Sequence, residues 1–108
     1  MKYSFKEVSL LIQNNKFSKA INYLDNLNDE EKENSIFYFL KGISFLYLSQ
    51  FENSIKNLNL AIDLDNRNPN YFFYRGYAFS RVNKFEMSIS DYKQAISLKP
   101  NAAEFYNN

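Results

Sequence analysis

The sequence contains no cysteine and no histidine. The absence of cysteine excludes disulfides, thiolate zinc sites and cysteine nucleophiles, and the absence of histidine excludes every triad or metal site that needs an imidazole. The 108 residues include only two Gly and two Pro, so the turn residues that many short strands require are scarce. Trp is also absent, although Phe and Tyr number 11 and 9. We therefore predict a protein that is not an enzyme and has no cofactor.

Excess charge of either sign is lacking as well. Lys and Arg number 13 and Asp and Glu 12, which gives a formal net charge of +1. A nearly neutral chain has no overall field that would attract nucleic acid or an anionic membrane. The acidic residues of the 29–34 segment could bind a hard cation, but a solvated connection between two helices explains them better. We predict no metal site and no nucleic-acid partner.

Long hydrophobic runs are missing too. The first 17 residues carry Lys2, Lys6 and Glu7, and their apolar run covers only 10–12, so they do not resemble a secretory signal. No stretch approaches the roughly 20 apolar residues of a membrane span. The length suits one domain with one continuous core, here 1–108. We predict no membrane partner and a cytoplasmic location.

The chain does contain an internal repeat with a period of 34 residues. Gly42 and Gly76 keep this spacing, as do Ala61 and Ala95. Three complete series share the period: Phe5, Phe39 and Phe73; Phe17, Phe51 and Phe85; and Ile21, Ile55 and Ile89. A fixed period of this length is the signature of a stacked repeat architecture. The units are approximately 1–34, 35–68 and 69–102, with a partial fourth unit at 103–108.

Each unit has the pattern of two helices, called A and B here. Segment 35–48 is apolar almost all round, whereas in 52–64 the apolar residues recur every three or four positions. Asn68 before Pro69 is typical of a helix start, and Asn101 with Glu104 predicts another start near 102. The pattern predicts six helices, near 3–14, 17–28, 35–48, 52–64, 70–82 and 86–98.

These residues resemble the tetratricopeptide repeat, whose pattern is W-x2-L-G-x2-Y, A-x3-F, A and P over 34 residues. Its Gly positions correspond to Val8, Gly42 and Gly76, and its first small positions in helix B to Ala20, Ser54 and Ser88. The third unit matches best and the first only in its B half. The resemblance implies an all-α, right-handed superhelical stack of antiparallel helix pairs. It also implies that Gly42 faces Ser54, that Gly76 faces Ser88, and that Arg75 pairs with Asp91.

In this family the A helices line a concave groove that binds a peptide or a helix of a partner protein. The resemblance therefore implies a polypeptide partner and a mainly apolar groove. We predict that the groove is lined by Phe5, Phe39, Ile43, Tyr47, Asn70, Phe73, Tyr77 and Arg81. An ordinary core role remains open for Phe5, Phe39 and Phe73, while Phe17, Phe51 and Phe85 are assigned to the core.

Two related functions are less well matched. Some family members hold the C-terminal carboxylate of chaperones with cationic side chains, but the matching positions here are Phe5, Ser9, Leu40, Asn70 and Tyr74, none of which is cationic. The pentatricopeptide repeat, which binds RNA, has a period of 35 and needs a basic groove. A structural scaffold stays open as the alternative to a binding module. It would self-associate through the C-terminal end, 86–98 and 102–106, or form part of a longer repeat array.

Overall fold

The protein is a stack of three antiparallel helix pairs. The computed structural model describes residues 5–99, which contain six α-helices, one short 3-10 helix and no β-strand. The helices are α1 (Phe5–Gln13), α2 (Phe17–Asp25), α3 (Ser35–Tyr47), α4 (Phe51–Leu64), α5 (Pro69–Arg81) and α6 (Phe85–Leu98). This right-handed superhelical arrangement confirms the predicted fold class. The predicted helix start at Asn101 and Glu104 and the fourth unit at 103–108 lie outside the described residues.

The same tight turn joins helix A to helix B in every unit. Its central residues, Asn15, Ser49 and Asn83, are 34 apart and have φ values of 60°, 61° and 65°. In each turn the next backbone N–H donates to a carbonyl five residues earlier, as from Gln50 to Phe45 at 2.9 Å. This is the hydrogen bond that closes a helix through a left-handed residue. Helix B can therefore begin at the following Phe, one residue earlier than predicted for α4 and α6.

Asparagine side chains begin two of the A helices. Asn68 Oδ1 accepts from the backbone N–H of Asn70 at 3.0 Å, with Pro69 at the first helical position, as predicted. Asn34 Oδ1 accepts from Ile36 N in the same way at 2.8 Å, although the sequence indicated only a solvated connection there. That connection also contains the 3-10 helix Glu31–Glu33. A side-chain acceptor satisfies one of the backbone donors left free at a helix start.

Helices A and B approach closely at the two glycines. A Cβ atom added at Gly76 would lie 3.1 Å from Asp91 Cβ and 3.2 Å from the Ser88 carbonyl oxygen. At Gly42 it would lie 2.8 Å from Leu58 Cγ and 3.4 Å from the Ser54 carbonyl oxygen. Both predicted contacts are confirmed, and the absence of a side chain is what permits the short helix-to-helix distance.

An ion pair joins α5 to α6 in the third unit. Arg75 Nε and Nη2 donate to the two carboxylate oxygens of Asp91, each at 2.8 Å. Arg75 Nη1 also donates to Asn59 Oδ1 at 3.0 Å, which ties the pair to α4. The Asp91 side chain is only 6% exposed and that of Arg75 20%. The predicted pair is confirmed, and its two-pronged geometry is the strong form of such contacts.

The stack curves with its A helices on the inner side. Successive A helices contact one another, α1 with α3 and α3 with α5. Successive B helices make at most marginal contact, because each B helix packs on its own A helix and on the A helix that follows. Helices that touch lie on the inside of a curved stack and helices that separate lie on the outside. The A helices therefore provide the concave surface.

Phe85 differs from the two phenylalanines that it repeats. Phe17 and Phe51 are half-buried. The Phe17 ring lies 5.0 Å from the Tyr47 ring, and the Phe51 ring lies 5.2 Å from the Arg81 guanidinium carbon. Phe85 is 57% exposed, so its assignment to the core is wrong. The physical reason is that Tyr47 covers Phe17 and Arg81 covers Phe51, whereas no described residue covers Phe85 in this way.

We predict that Gly76→Leu lowers the free energy of unfolding by about 1–3 kcal/mol, because the new side chain would overpack the contact with α6. Urea denaturation followed by circular dichroism measures the change. Gln94→Leu, which adds leucine at an exposed position of α6, is the matched control and is expected to change stability by less than about 0.5 kcal/mol. A midpoint that Gly76→Leu leaves unchanged would contradict the close approach.

Two fully buried serines provide a second test. Ser44 Oγ donates to the Leu40 carbonyl at 2.8 Å, whereas Ser54 Oγ has no hydrogen-bond partner among residues 5–99. An unsatisfied buried hydroxyl costs about 1–3 kcal/mol, and a satisfied one contributes about 0.5–1.5 kcal/mol. We therefore expect Ser54→Ala to stabilise the protein by about 1 kcal/mol and Ser44→Ala to destabilise it by a similar amount. Equal effects of the two substitutions in thermal unfolding would contradict this difference.

Candidate functional site

A pocket opens on the concave surface between α3 and α5. Its volume is about 480 Å³, within the range of about 300–1,000 Å³ found for ligand sites. The residues around it come from the end of α3, the following turn, the start of α4 and the length of α5. They are Leu46, Tyr47, Ser49, Phe51, Phe73, Tyr74, Tyr77 and Arg81. Five of these eight side chains are aromatic, and three of the five are tyrosines, so the pocket combines ring surfaces with polar atoms.

The turn between helix A and helix B positions the mouth of this pocket. Because the turn is tight, the Phe that begins α2 and the Phe that begins α4 each lie against the last turn of the next A helix. Phe17 stacks on Tyr47, with 18° between the ring planes. At the equivalent place one unit later, Phe51 lies under Arg81. Tyr47 and Arg81 are thus fixed from below while remaining exposed to solvent.

Four of the eight predicted groove residues meet in this pocket: Tyr47, Phe73, Tyr77 and Arg81. Tyr47 is 52% exposed and Tyr77 37%, so both rings can contact a ligand. Phe73 is half-buried, and its ring lies 5.6 Å from that of Tyr92 on α6. Arg81 Nη1 donates to the Tyr77 hydroxyl at 3.3 Å. The pocket therefore has aromatic walls and one cation at its rim.

The other four predicted residues lie elsewhere. Phe39 is half-buried, with its ring 4.7 Å from that of Tyr71. Phe5 is half-buried against the core of the first unit. Asn70 is exposed one helical turn before Phe73, but it does not line the pocket. The structure brings none of these three to the pocket.

Ile43 requires a correction. It was predicted to line the groove, but only 8% of the residue is exposed. An A helix of this repeat contacts its own B helix and the neighbouring units, so most of its circumference is covered. Ile43 supports the surface from below and offers a ligand very little area.

Two aromatic lining residues were missed by sequence reasoning. Phe51 was assigned to the core and Tyr74 was considered only as a position of the chaperone-binding pattern. The repeat itself carries a signal for Phe51, because Phe17 and Phe51 hold equivalent positions next to the following A helix. No comparable signal identifies Tyr74, whose ring contacts both Phe39 and Phe73.

Tyr92, whose ring contacts the Phe73 side chain of the pocket, is uncharged. Burial raises the pKa of Tyr92 above its usual value, since burial penalises the phenolate, and hydrogen bonds from Ser88 and Ser80 offset only part of this effect. The phenol that contacts Phe73 therefore stays neutral at physiological pH. Within 5–99, no group of three or more acidic side chains is placed to bind a metal ion. In the same range, no helix is long and apolar enough to cross a membrane.

Several solved structures have the same fold. The TPR domain of Arabidopsis OM64 has a TM-score of 0.87 and 19% identity, covering 94% of this chain and 84% of its own. The first TPR of Spaghetti (RPAP3), bound to the HSP90 peptide SRMEEVD, has a TM-score of 0.87 and 22% identity, with coverage of 94% and 81%. The second TPR domain of human RPAP3, in complex with the HSP70 peptide SGPTIEEVD, gives 0.85 and 19%, with coverage of 94% and 85%. At these identities the likeness shows the fold alone.

Sequence comparison gives the family. Among curated proteins, none matches the chain significantly. The model of the tetratricopeptide repeat matches residues 35–68 and 70–102, which together are more than half of the chain. The matched units are the two with glycine at the close approach, whereas the first unit has Val8 there. With the helix pairs, the 34-residue period and these matches, the chain belongs to the tetratricopeptide repeat family.

Proposed function

We propose that this protein is a non-catalytic module that binds a segment of another polypeptide along its concave A-helix surface. The observation that carries the proposal is the pocket between α3 and α5, in which exposed aromatic rings from separate units meet. Tyr47 and Tyr77 each present area to solvent at the pocket while Phe73 forms its floor. Exposed, contiguous aromatic surface of this kind is typical of protein-binding sites.

The energetics are consistent with moderate affinity. Fully burying one aromatic side chain contributes roughly 1.5–3 kcal/mol of transfer free energy. Association and the ordering of side chains consume part of that gain. Two or three aromatic anchors supply roughly 3–9 kcal/mol before these costs, which supports binding no tighter than about micromolar, the affinity that corresponds to about 8 kcal/mol. Polar residues at the rim would then set the direction of the bound segment.

Chaperone tails are not part of this proposal. Solved relatives hold such peptides, but the identities are too low to carry a ligand from one protein to another. The positions that match the carboxylate-binding pattern of the family contain no Lys and no Arg. These are Phe5, Ser9, Leu40, Asn70 and Tyr74. We infer that the partner is recognised by apolar contacts made by other residues of the groove.

A scaffold function is the second candidate, and one observation favours it. Phe85 and Ile89 on α6 are 57% and 54% exposed. Their counterparts in the second unit, Phe51 and Ile55, are half-buried because α5 packs against α4. A second copy of the chain could cover the exposed pair. The other end of the stack suits this less well, since α1 has the polar Gln13 where α3 has Tyr47.

Two double variants, each tested in the same two assays, distinguish groove binding from self-association. Random twelve-residue peptides displayed on phage are selected against the wild-type chain. The enriched peptides are then titrated against the two double variants. The tyrosine variant carries Tyr47→Ala and Tyr77→Ala, and the α6 variant carries Phe85→Ser and Ile89→Ser. We expect the tyrosine double variant to bind at least about tenfold more weakly, since two anchors are lost, and the α6 double variant to bind like wild type. Circular dichroism checks that both variants remain folded.

The same variants are examined by analytical ultracentrifugation. The scaffold candidate predicts an oligomer that Phe85→Ser, Ile89→Ser dissociates and that the tyrosine variant leaves intact. If the folded tyrosine variant keeps full peptide affinity, groove binding is wrong. A wild-type chain that stays monomeric at about 0.1 mM, a concentration well above the dissociation constants of specific oligomers, removes self-association.

A further inference from the structure

The two A helices that form the pocket contain no acidic residue. The sequence of α3 is SIFYFLKGISFLY and that of α5 is PNYFFYRGYAFSR. Together they carry three cations, Lys41, Arg75 and Arg81. The surface that they share is therefore positive wherever a cation is not neutralised from another helix.

Two of these cations are neutralised. Lys41 Nζ lies 2.7 Å from a carboxylate oxygen of Asp25 on α2, and Arg75 is paired with Asp91 on α6. Arg81 forms no ion pair with a carboxylate of residues 5–99, and Glu52, which follows Phe51, is not within ion-pair distance of it. Arg81 is thus the cation of α3 and α5 that keeps its charge uncompensated.

Aromatic rings hold Arg81 in place. Its guanidinium carbon lies 5.2 Å from the centre of the Phe51 ring and 6.0 Å from that of Tyr77. The hydrogen bond to the Tyr77 hydroxyl uses Nη1. A guanidinium that is held on rings is pre-organised to bind a carboxylate through two parallel N–H groups. Arg81 also lies at the end of α5, so its positive charge is next to the aromatic rings that line the pocket.

We propose that this pocket recognises an extended segment of a partner protein in which an apolar side chain is separated from an Asp or Glu by one residue. The inference rests on the proposed groove binding and specifies its ligand. The apolar side chain enters between Tyr77 and Phe73, and the carboxylate pairs with Arg81. Side chains two residues apart point the same way in an extended segment and are about 7 Å apart. That spacing is close to the rise of about 6 Å along α5 between Tyr77 and Arg81, which are four residues apart.

The test uses decapeptides that carry a fluorescent label on the N-terminal amine, are amidated at the C-terminus and differ at two positions. One position is Leu, Phe or Ser, and the position two residues later is Asp or Asn; all others are Ser or Gly. A further peptide has Asn at the second position and ends in a free carboxylate, which separates a terminal carboxylate from a side-chain one. Binding to the full chain is measured by fluorescence anisotropy of a labelled N-terminus.

We expect the peptides with Leu or Phe followed by Asp to bind about tenfold more tightly than their Asn analogues, as for a charge-assisted hydrogen bond. Arg81→Gln is expected to abolish this difference and leave the weaker apolar contribution. Arg81→Lys, which keeps the charge without the planar fork, should retain only part of it. Arg67→Gln removes an exposed cation outside the pocket and is the matched control, expected to behave like wild type.

Each other outcome overturns the proposal in a distinguishable way. In one outcome the Asp and Asn peptides bind the wild-type chain equally, and both bind the Tyr47→Ala, Tyr77→Ala double variant more weakly. Groove binding would then stand, and Arg81 would have no role in recognition. Unchanged affinity in that tyrosine variant would remove the groove itself. Binding only of the peptide with a free terminus would assign the carboxylate to a chain end. If no peptide binds better than the one with Ser and Asn, the recognition of an apolar–acidic segment is wrong.

Discussion

The structure depends on the close approach of helix A to helix B within each unit. In the second and third units this approach occurs at Gly42 and Gly76, where even a methyl group would be crowded. The first unit reaches a similar result with Val8 opposite the small Ala20, both fully buried. One helix pair cannot cover its own apolar face, so the pairs must stack, and the distance within a pair sets how the next pair can dock. The concave surface follows from that docking.

Helix docking also connects the polar contacts to the site. Because α5 packs on both α4 and α6, Arg75 reaches Asp91 on one side and Asn59 on the other. An arginine in the interior is tolerated only when its donors are satisfied, and here three nitrogens have acceptors. The pair holds α5 in a fixed rotation, and this rotation is what places Tyr77 and Arg81 on the concave side. A structural ion pair thus supports the geometry of a pocket that it does not touch.

Much of this could be predicted from the sequence because a 34-residue period repeats the same physical solution. The glycine contacts and the Arg75–Asp91 pair follow from the resemblance to the tetratricopeptide repeat. The helix start at Asn68 follows from asparagine before proline. The left-handed turn residues could have been found by the same period, since Asn15 and Asn83 are of a type that adopts this conformation at low cost. Serine does not favour this conformation, so Ser49 hides the fact that the three turns repeat one another.

The site was harder to predict because exposure depends on neighbouring units and not on the repeat alone. Phe17, Phe51 and Phe85 occupy equivalent positions, yet only the first two have a following A helix within the described residues to cover them. Ile43 and Tyr77 likewise hold equivalent positions, but the first is buried and the second exposed. Periodicity gives the direction of a side chain, and the size of what surrounds it decides whether a ligand can reach it.

We propose that the concave face between α3 and α5 binds a polypeptide segment. A map of backbone amide chemical shifts of the ¹⁵N-labelled chain during titration with the tightest-binding apolar–acidic decapeptide tests this directly. Binding in the groove predicts the largest changes at 46–51 and 73–81, with little change along the outer faces of α2 and α4. Changes concentrated at 85–89, or spread evenly over the B helices, would contradict it.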